Sequence, residues 1–352
     1  IAQDYETYAA TSDIYCLFYE RGVELLKNDG IQSFIVSNTW LPSVTFKRIR
    51  SFLTNKLNLQ CLVSIQTPIF TAVVDTVVSV LCKRPPNNTV PVDVYVLRQR
   101  DIEFHQKLDR KHIPTNGDPI NALTSPENLK ILNKVLETGF RIKDIATVHN
   151  GVKPFEKGKG KPPQTKEIVE TKPYVVENSG KPEGKNWRPL LRGSLIQRYT
   201  SFWNNNSWIK YGPWLAAPRD QTIFDAPIKI LIRQTGDSII ATNCEAPFVA
   251  RNNLHIVIPH NISDINYILG ILNSKFSALA YEHINPEKGE ALAEVKKHHV
   301  EMLPIPNASK NIKEEISNIV TEILSTKMDD PKNDTTDLEQ RIDNLILSTL
   351  GS

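Results

Sequence analysis

The pattern of apolar and polar residues in the first part of the chain predicts alternating helices and strands. A helix is expected over 12–28, where Ser12 or Asp13 can cap the first turn and Asp29-Gly30 can end it. Apolar side chains occur there at helical spacing, namely Ile14, Leu17, Phe18, Leu25 and Leu26.

A second amphipathic helix is expected over 44–56, and short apolar runs predict strands between the helices and after them. These strands are Gln32–Val36, Leu59–Ile65, Thr76–Cys82 and Val92–Leu97. The order helix, strand, helix, strand, strand is typical of the closing portion of an α/β sheet, whose first strands these residues do not supply.

The pattern changes after the last of these strands. Residues 98–125 are polar and predict a loop, and 126–138 predict a short helix capped by Ser125. From Arg141 onwards, Pro, Gly, Lys and aromatic residues surround short strand-like runs, which predicts a mixed, loop-rich domain. Its expected strands are Lys229–Arg233, Ser238–Thr242 and Leu254–Ile258, and its expected later helices are 265–283, 311–327 and 335–350.

Charge is distributed unevenly along the 352 residues, although the net charge is only +3. Residues 141–220 hold 15 Lys and Arg against 7 Asp and Glu, whereas residues 311–352 hold 4 against 9. A basic middle followed by an acidic tail indicates an anionic partner for the middle.

The basic stretch also holds four of the five tryptophans, namely Trp187, Trp203, Trp208 and Trp214. Lys and Arg neutralise phosphates, and aromatic faces can stack on bases. The same composition also suits a solvated face whose aromatics form a small core. Composition by itself leaves both interpretations open.

Other kinds of site receive less support from the sequence. The four cysteines are scattered without a Cys-x-x-Cys pair, which favours a reducing, cytoplasmic setting and argues against zinc. The adjacent His298 and His299 cannot form a helical i, i+4 metal site, so no metal is expected. No apolar run approaches the ~20 residues that cross a bilayer.

The run Lys157-Gly158-Lys159-Gly160-Lys161 resembles a phosphate-binding loop only in composition. Such a loop needs a strand before it and a helix after it, and the sequence predicts neither. We therefore expect a flexible basic loop beside DNA, or a disordered loop.

Two segments near the start resemble late motifs of TaqI-type, gamma-class adenine DNA methyltransferases. SDIYCLFYERGVELLKNDGIQSFIVSNTWL (12–41) is similar to the segment after the catalytic Asn-Pro-Pro-Tyr motif, and TPIFTAVVDTVVSVLCKR (67–84) is similar to the following hairpin. Further segments resemble the family's target-recognition domain. They are 142–154, 188–211, 227–242, 269–282 and 303–306.

The resemblance implies an α/β fold in which the C-terminal portion of a Rossmann-like class I methyltransferase sheet precedes a mixed α+β target-recognition domain and a helical tail. The implied division has the end of the catalytic domain at 1–105, a linker with a short helix at 106–140, the recognition domain at 141–308 and C-terminal helices at 309–352.

The implied function is target recognition and base positioning for N6-adenine methylation of double-stranded DNA in a bacterial or archaeal restriction–modification enzyme. The cofactor would be S-adenosylmethionine. The family's Gly-rich cofactor loop and Asn-Pro-Pro-Tyr motif have no copy here and are expected upstream of Ile1. The 352 residues alone are therefore expected to bind no cofactor and to be inactive.

The resemblance also assigns site residues. Phe70 matches the aromatic that stacks on the flipped adenine. The candidate DNA-binding residues are Lys153, Arg192, Arg198, Lys210, Arg219, Arg233 and Lys297. The chain departs from the family at Ser194, where an Arg usually follows Gly193; here Arg192 precedes the glycine.

Two other functions stay open. A type I restriction specificity subunit would bind DNA without catalysis, but it would show two recognition domains separated by long helices, and residues 1–97 argue against it. An unrelated α/β scaffold could bind RNA or an acidic partner through the basic middle.

Overall fold

The computed structural model describes residues 4–65, 75–98, 100–236, 238–285 and 294–351. The chain forms two compact units. The N-terminal unit comprises Ile1–Leu129 with Asn285–Ala293, and the C-terminal unit comprises Lys130–Ile284 with Glu294–Ser352. Together they are a mixed α/β structure with several sheets.

The N-terminal unit is built on a five-stranded sheet with the order β1-β3-β2-β4-β5. The strands are β1 (Ile31–Ser37), β2 (Asn58–Ile65), β3 (Thr76–Cys82), β4 (Val92–Arg98) and β5 (Asp101–Leu108). The helices are α1 (Tyr15–Leu25) and α2 (Lys47–Lys56). β2 and β4 are parallel, and the other neighbouring strands are antiparallel. The four predicted strands and the second helix are confirmed.

The apolar residues that indicated the first helix do not form its buried face. Ile14, Phe18 and Leu25 are exposed, and the buried positions of α1 are Cys16, Tyr19, Glu20 and Val23. Hydrogen bonds of buried polar side chains set which face of α1 is buried. The Tyr19 hydroxyl lies 2.6 Å from that of Ser79 on β3. The Glu20 carboxylate also accepts the backbone N–H of Thr7 at 2.8 Å.

The predicted cap of this helix is also wrong. Ile14 occupies the N-cap position in helical conformation, and no side chain caps the first turn. The Ser12 hydroxyl instead donates to the carbonyl of Ala9 at 2.9 Å, within the preceding turn. The helix ends at Leu25, before Asp29-Gly30.

The loop predicted over 98–125 contains the strand β5. It pairs with β4, although its side chains are mostly exposed. Gln106 is one of the buried ones, and its amide donates to the carbonyls of Ala122 (2.6 Å) and Thr124 (2.9 Å). Main-chain pairing and this amide stabilise the strand, whose alternating apolar residues Ile102 and Phe104 are exposed.

The C-terminal unit contains two four-stranded sheets, ordered β14-β13-β16-β7 and β15-β9-β12-β8. The first consists of β7 (Ala146–Asn150), β13 (Ile228–Arg233), β14 (Ala241–Glu245) and β16 (Leu254–Pro259). The second consists of β8 (Val175–Glu177), β9 (Trp187–Leu191), β12 (Ser207–Lys210) and β15 (Val249–Ala250). Short pairs complete the strands, namely β6 (Phe140–Arg141) with β17 (Pro304–Ile305) and β10 (Ile196–Gln197) with β11 (Thr200–Ser201).

The remaining helices are α3 (Pro126–Thr138), α4 (Ile142–Ile145), α5 (Lys166–Thr171), α6 (Thr222–Asp225), α7 (Ile265–Leu272), α8 (Lys275–Ile284), α9 (Lys297–Met302), α10 (Lys310–Asp329) and α11 (Thr336–Gly351). The Ser125 cap is confirmed, since its hydroxyl accepts the Asn128 N–H at 3.2 Å. No helix of the described ranges is both long enough and apolar enough to cross a membrane.

The single helix predicted over 265–283 is two helices, α7 and α8. Asn273 interrupts them because its buried amide bonds both backbone groups of Ala241, accepting the N–H at 3.0 Å and donating to the carbonyl at 2.9 Å. Because the Asn273 side chain is hydrogen-bonded to β14, one continuous helix does not form here, and the chain bends between α7 and α8.

The sheet that contains β13 is buried on both faces. Ile230 and Ile232 belong to the same apolar cluster as helix α7, whereas Leu231 packs in a second cluster with Ile209 of the other sheet. Alternate side chains of a strand point to opposite faces, so helices cover one face and the second sheet covers the other.

Candidate nucleic-acid interface

Separate backbone segments of the C-terminal unit cross at one point beside its two sheets. The Val152 N–H donates to the Ala250 carbonyl at 2.8 Å, and the Arg251 N–H donates to the Leu191 carbonyl at 2.9 Å. Gly151 makes this approach possible, because a Cβ there would lie 2.2 Å from the Arg251 carbonyl oxygen. The crossing brings the basic residues next to these segments together.

Glu177 joins two of these residues. Its carboxylate accepts from Nη1 of Arg192 at 2.6 Å and from Nη1 of Arg251 at 3.1 Å. All three side chains are between 28% and 30% exposed, so the pairs are partly shielded from water. Nε of Arg192 is buried and has no hydrogen-bond partner among the described residues. The two guanidinium groups are thus held in fixed positions before any ligand arrives.

Lys153 and Arg219 lie beside the same crossing. The backbone of Lys153 pairs with Ala217 through two hydrogen bonds of 3.0 and 2.9 Å, and its ammonium group binds Glu156 at 2.7 Å. This hydrogen bond lowers the pKa of the Glu156 carboxyl. Arg219 is exposed and donates Nε to the Gly151 carbonyl at 3.1 Å. Its exposed terminal nitrogens can contact a phosphate.

Arg233 and Lys210 lie on strands of the two sheets. A Cβ at Gly193 would come within 3.5 Å of the Arg233 side chain, whose Nε donates to the Thr235 hydroxyl at 3.3 Å. The Lys210 ammonium lies 5.9 Å from the centre of the Trp214 indole ring. Arg233 is therefore close to the glycine that follows Arg192, while Lys210 rests on an aromatic face.

Lys297 is close to a histidine of β7. Its ammonium group binds Glu301 at 3.3 Å. Burial lowers the pKa of the half-buried His149 and the charge of Lys297 lowers it further, whereas Asp220 opposes the shift. At neutral pH the imidazole is uncharged and can donate or accept a hydrogen bond.

Arg198 has partners of a different kind. Its guanidinium donates to the Asn273 carbonyl at 2.6 Å and to the carboxylate of Glu339 on α11. Both partners belong to the helical part of the C-terminal unit. This candidate therefore joins helices to the strand region, apart from the crossing at Gly151.

The tryptophans of the basic stretch serve mainly as internal packing. The indole N–H groups of Trp203, Trp208 and Trp214 donate to the carbonyls of Ser207, Asn205 and Lys210 at 2.9, 3.1 and 2.9 Å. Trp203 also packs edge-on against Trp208 at 5.3 Å. Of the two interpretations of this composition, these contacts favour the small aromatic core.

Phe70, the candidate for stacking on the flipped adenine, lies outside the described residues. Within the described ranges, no group of three or more His, Cys, Asp or Glu side chains could hold a metal ion.

Sequence reasoning missed Glu177 and Arg251. Glu177 is an acidic residue in a basic stretch, and Arg251 precedes two asparagines immediately before a buried strand. The Asn253 side chain accepts the Gly193 N–H at 3.1 Å, which fixes the turn after Arg192. A polar triplet in front of a strand was the available signal.

Models of two known protein families match segments of this chain. Residues 188–305 match the model of the TaqI-like C-terminal specificity domain. Residues 1–70 match the Eco57I restriction-modification methylase model. Residues 188–305 are thus similar to a TaqI-like specificity domain. The resemblance seen in the sequence is confirmed, and the chain is related to restriction–modification DNA methyltransferases.

One relative is the putative type II restriction enzyme and methyltransferase RM.MjaORFECS2P of Methanocaldococcus jannaschii. It is 25% identical over 281 residues, which are 76% of this chain and 22% of the relative. Among solved structures, the type IIL restriction-modification enzyme MmeI in complex with DNA shares the fold, with a TM-score of 0.56 and 11% identity. That match covers 97% of this chain and 50% of the MmeI chain. The chain thus spans about a fifth and a half, respectively, of these proteins.

Proposed function

We propose that this chain recognises double-stranded DNA and positions it for N6-adenine methylation by a restriction–modification methyltransferase. The observation that carries the proposal is the cluster of Arg192, Arg251 and Glu177, because Arg192 and Arg251 both lie inside the segment matched by the TaqI-like specificity domain. The MmeI structure, which has the same fold, is a complex with DNA.

The fixed arginines suit base recognition. A guanidinium can make two hydrogen bonds to the edge of guanine in the major groove, and it discriminates best when its position is set in advance. Glu177 supplies this restraint for Arg192 and Arg251. Arg233, close to Gly193, is proposed to act with them.

The other candidates are suited to contact phosphates. Phosphate contacts fix the register of the protein on the duplex but carry no sequence information. Lys153, Lys210, Arg219 and Lys297 are proposed for this role. We assign Arg198 to the stability of the domain, because the Asn273 carbonyl and Glu339 engage its guanidinium.

Methylation of an adenine requires that the base leave the duplex, since its amino group is inaccessible inside the stack. We propose that Phe70 stacks on the flipped base, as the family resemblance implies. The methyl donor for the whole enzyme would be S-adenosylmethionine.

The turn after β1 does not fit that cofactor. The turn after β1 is filled by the fully buried Trp40, and the buried Arg50 donates to the carbonyls of Trp40 (2.7 Å), Ser43 and Gly117 (2.8 Å). Burial lowers the pKa of Arg50 to about 10. A turn closed by these side chains offers no cradle for a nucleoside, so we assign no step of methyl transfer to it.

We propose that the N-terminal sheet is the closing part of a Rossmann-like methyltransferase sheet. Among the described residues β1 pairs only with β3, which leaves its other edge free. Ile31 of β1 and the apolar Ile14, Phe18 and Leu25 at α1 are between 58% and 71% exposed. Free strand edges and apolar patches are normally covered, so both features support a sheet that continues. In this scheme 1–105 is catalytic, 106–140 a linker, 141–308 the recognition domain and 309–352 the tail.

The salt dependence of duplex binding tests the proposed function. Log affinity should fall linearly with log salt, with a slope near −0.9 for each of about four to eight neutralised phosphates. Arg219→Gln should reduce the slope by about one, whereas Arg341→Gln, on the exposed side of α11, should leave it unchanged. A flat dependence, or equal binding to RNA of the same length, would refute DNA recognition.

A further inference from the structure

The run of residues 157–161, here called the lysine loop, is ordered and highly charged. Lys157, Lys159 and Lys161 are all exposed, and within the described ranges none of them forms an ion pair. The carboxylate of Glu156 binds Lys153 at 2.7 Å, and the charge of Lys159 acts on it more weakly. The loop therefore presents three exposed lysines within five residues, and none of them forms an ion pair within the described ranges.

Gln164 fixes the shape of this loop. It is 3% exposed, and its side chain makes three hydrogen bonds. Its Nε2 donates to the carbonyls of Pro154 and Trp214, both at 2.8 Å, and its Oε1 accepts the Glu156 N–H at 2.9 Å. One buried amide thus ties the start of the loop to a neighbouring segment.

The backbone of Gln164 closes the loop on itself. Its carbonyl accepts the Gly158 N–H at 2.9 Å, and its N–H donates to the Lys159 carbonyl at 2.8 Å. Gly158 and Gly160 have φ values of +79° and +90°, and a Cβ at Gly160 would lie 2.5 Å from the Trp214 carbonyl oxygen. Glycine is required at positions 158 and 160, because a residue with a Cβ is strained at these φ values.

The same hydrogen bonds decide which ligand the loop suits. The N–H groups of Gly158, Lys159 and Lys161 are consumed by the carbonyls of Gln164, Glu156 and Pro213, at 2.9, 3.1 and 2.8 Å. They cannot converge on a single phosphate, as the amides of a nucleotide-binding loop do. The three ammonium groups are available, and separate point charges suit a row of phosphates along a duplex.

The loop is also continuous with the candidate interface. Lys153 begins the segment, and its backbone pairs with Ala217, two residues before Arg219. A duplex held at Arg219 and Lys153 can therefore extend its backbone along the lysine loop. Because Gln164 has already fixed the loop, binding costs less conformational entropy than it would for a flexible segment.

We propose that the lysine loop is a preformed clamp for the phosphates of duplex DNA, and that Gln164 is its positioning residue. This proposal rests on the proposed function and adds a binding site outside the segment that the specificity-domain model covers.

The test measures affinity for a duplex of random sequence between about 50 and 200 mM salt. Lys157→Gln/Lys159→Gln/Lys161→Gln should reduce the slope of log affinity against log salt by about two to three. Lys130→Gln/Lys310→Gln/Lys332→Gln removes the same charge at exposed positions elsewhere and should leave the slope within one of wild type.

Gln164→Ala retains every lysine and tests positioning. It should reduce the slope by about one, and trypsin should cleave after Lys157 and Lys159 faster than in the wild type. Gln164→Glu, which places a carboxylate against the carbonyls of Pro154 and Trp214, should reduce the slope at least as much as Gln164→Ala. A wild-type slope in the triple loop variant, whose substitutions are all at the surface, would overturn the clamp and leave the proposed function intact. An absence of duplex binding in the wild type would refute the proposed function itself. Loop-dependent binding that is tighter for single-stranded RNA would overturn the choice of duplex DNA.

Discussion

The guanidinium of Arg198 donates a hydrogen bond to the carboxylate of Glu339, which lies on the C-terminal helix α11. The same nitrogen donates to the Asn273 carbonyl at 2.6 Å, at the break between α7 and α8. A residue that the sequence suggested for DNA binding thus has two internal acceptors. The Arg198 side chain thus links the C-terminal helix α11 to the region of strand β10.

Arg198→Ala should lower stability and leave DNA binding unchanged. Its side chain is 46% exposed, so the ion pair should contribute about 0.2–1 kcal/mol to the free energy of unfolding. Urea denaturation of Arg198→Ala, Glu339→Ala and the double variant gives the coupling energy, and fluorescence anisotropy gives the affinity for DNA. Weaker DNA binding together with unchanged unfolding would return Arg198 to the interface.

Glu177→Gln should reduce the base specificity of DNA binding. The substitution removes the charge that holds Arg192 and Arg251, so both guanidinium groups gain freedom while the surface becomes more positive. Selection from a randomised duplex library should give a less defined base preference, together with equal or tighter sequence-independent binding. Glu183→Gln, an exposed carboxylate in the same stretch, is the matched control. An unchanged base preference in Glu177→Gln would show that the ion pairs do not order the reading residues.

Stability should fall on acidification because of buried histidines. His255 is 2% exposed, its Nε2 donates to the Val295 carbonyl at 2.6 Å, and burial lowers its pKa. The unfolded chain takes up this proton near pH 6.5, whereas the folded chain does so only at lower pH. The unfolded state therefore binds more protons below that value, and the free energy of unfolding decreases there.

Urea denaturation between about pH 7.5 and 5 measures this loss of stability. His255→Gln should show a smaller loss than the wild type, and His260→Gln, an exposed histidine, should match the wild type. His149, whose pKa is also lowered, contributes in the same direction and leaves part of the dependence in place. A profile in His255→Gln that overlays the wild type would exclude His255 as a source.

Phe70→Ala should slow methylation without unfolding the enzyme. The experiment uses a longer enzyme that also carries the cofactor loop and the Asn-Pro-Pro-Tyr motif. Loss of stacking costs roughly 1–3 kcal/mol, or a reduction of about 10- to 100-fold in single-turnover rate. Phe70→Trp should retain much of the rate, since it keeps a flat face. If Phe70 were a core residue, Ala would instead cost roughly 3–5 kcal/mol of stability at an unchanged rate.

Local patterns were sufficient for part of this fold. Strand β3 lies at its predicted bounds, and β13 and β16 are within one residue of theirs, because runs of β-branched residues are buried on both faces there. Ser125 caps its helix as predicted, since the bond it makes is to residues three positions away. The family motifs at 12–41 and 188–211 were likewise readable, and matching models now cover both.

Only the tertiary structure decided which charges and faces are available. The sequence shows the apolar residues of α1, but the bond from Tyr19 to Ser79, 60 positions away, sets which of them are buried. The sequence shows many lysines and arginines but not their partners. Pairing with Glu177 makes Arg192 a candidate for base recognition, whereas pairing with Glu339 assigns Arg198 to stability. The lysine run was visible as composition, and its order depends on one buried amide at Gln164. Local periodicity reports burial along one element, whereas these partners are set by contacts between distant segments, which periodicity does not record.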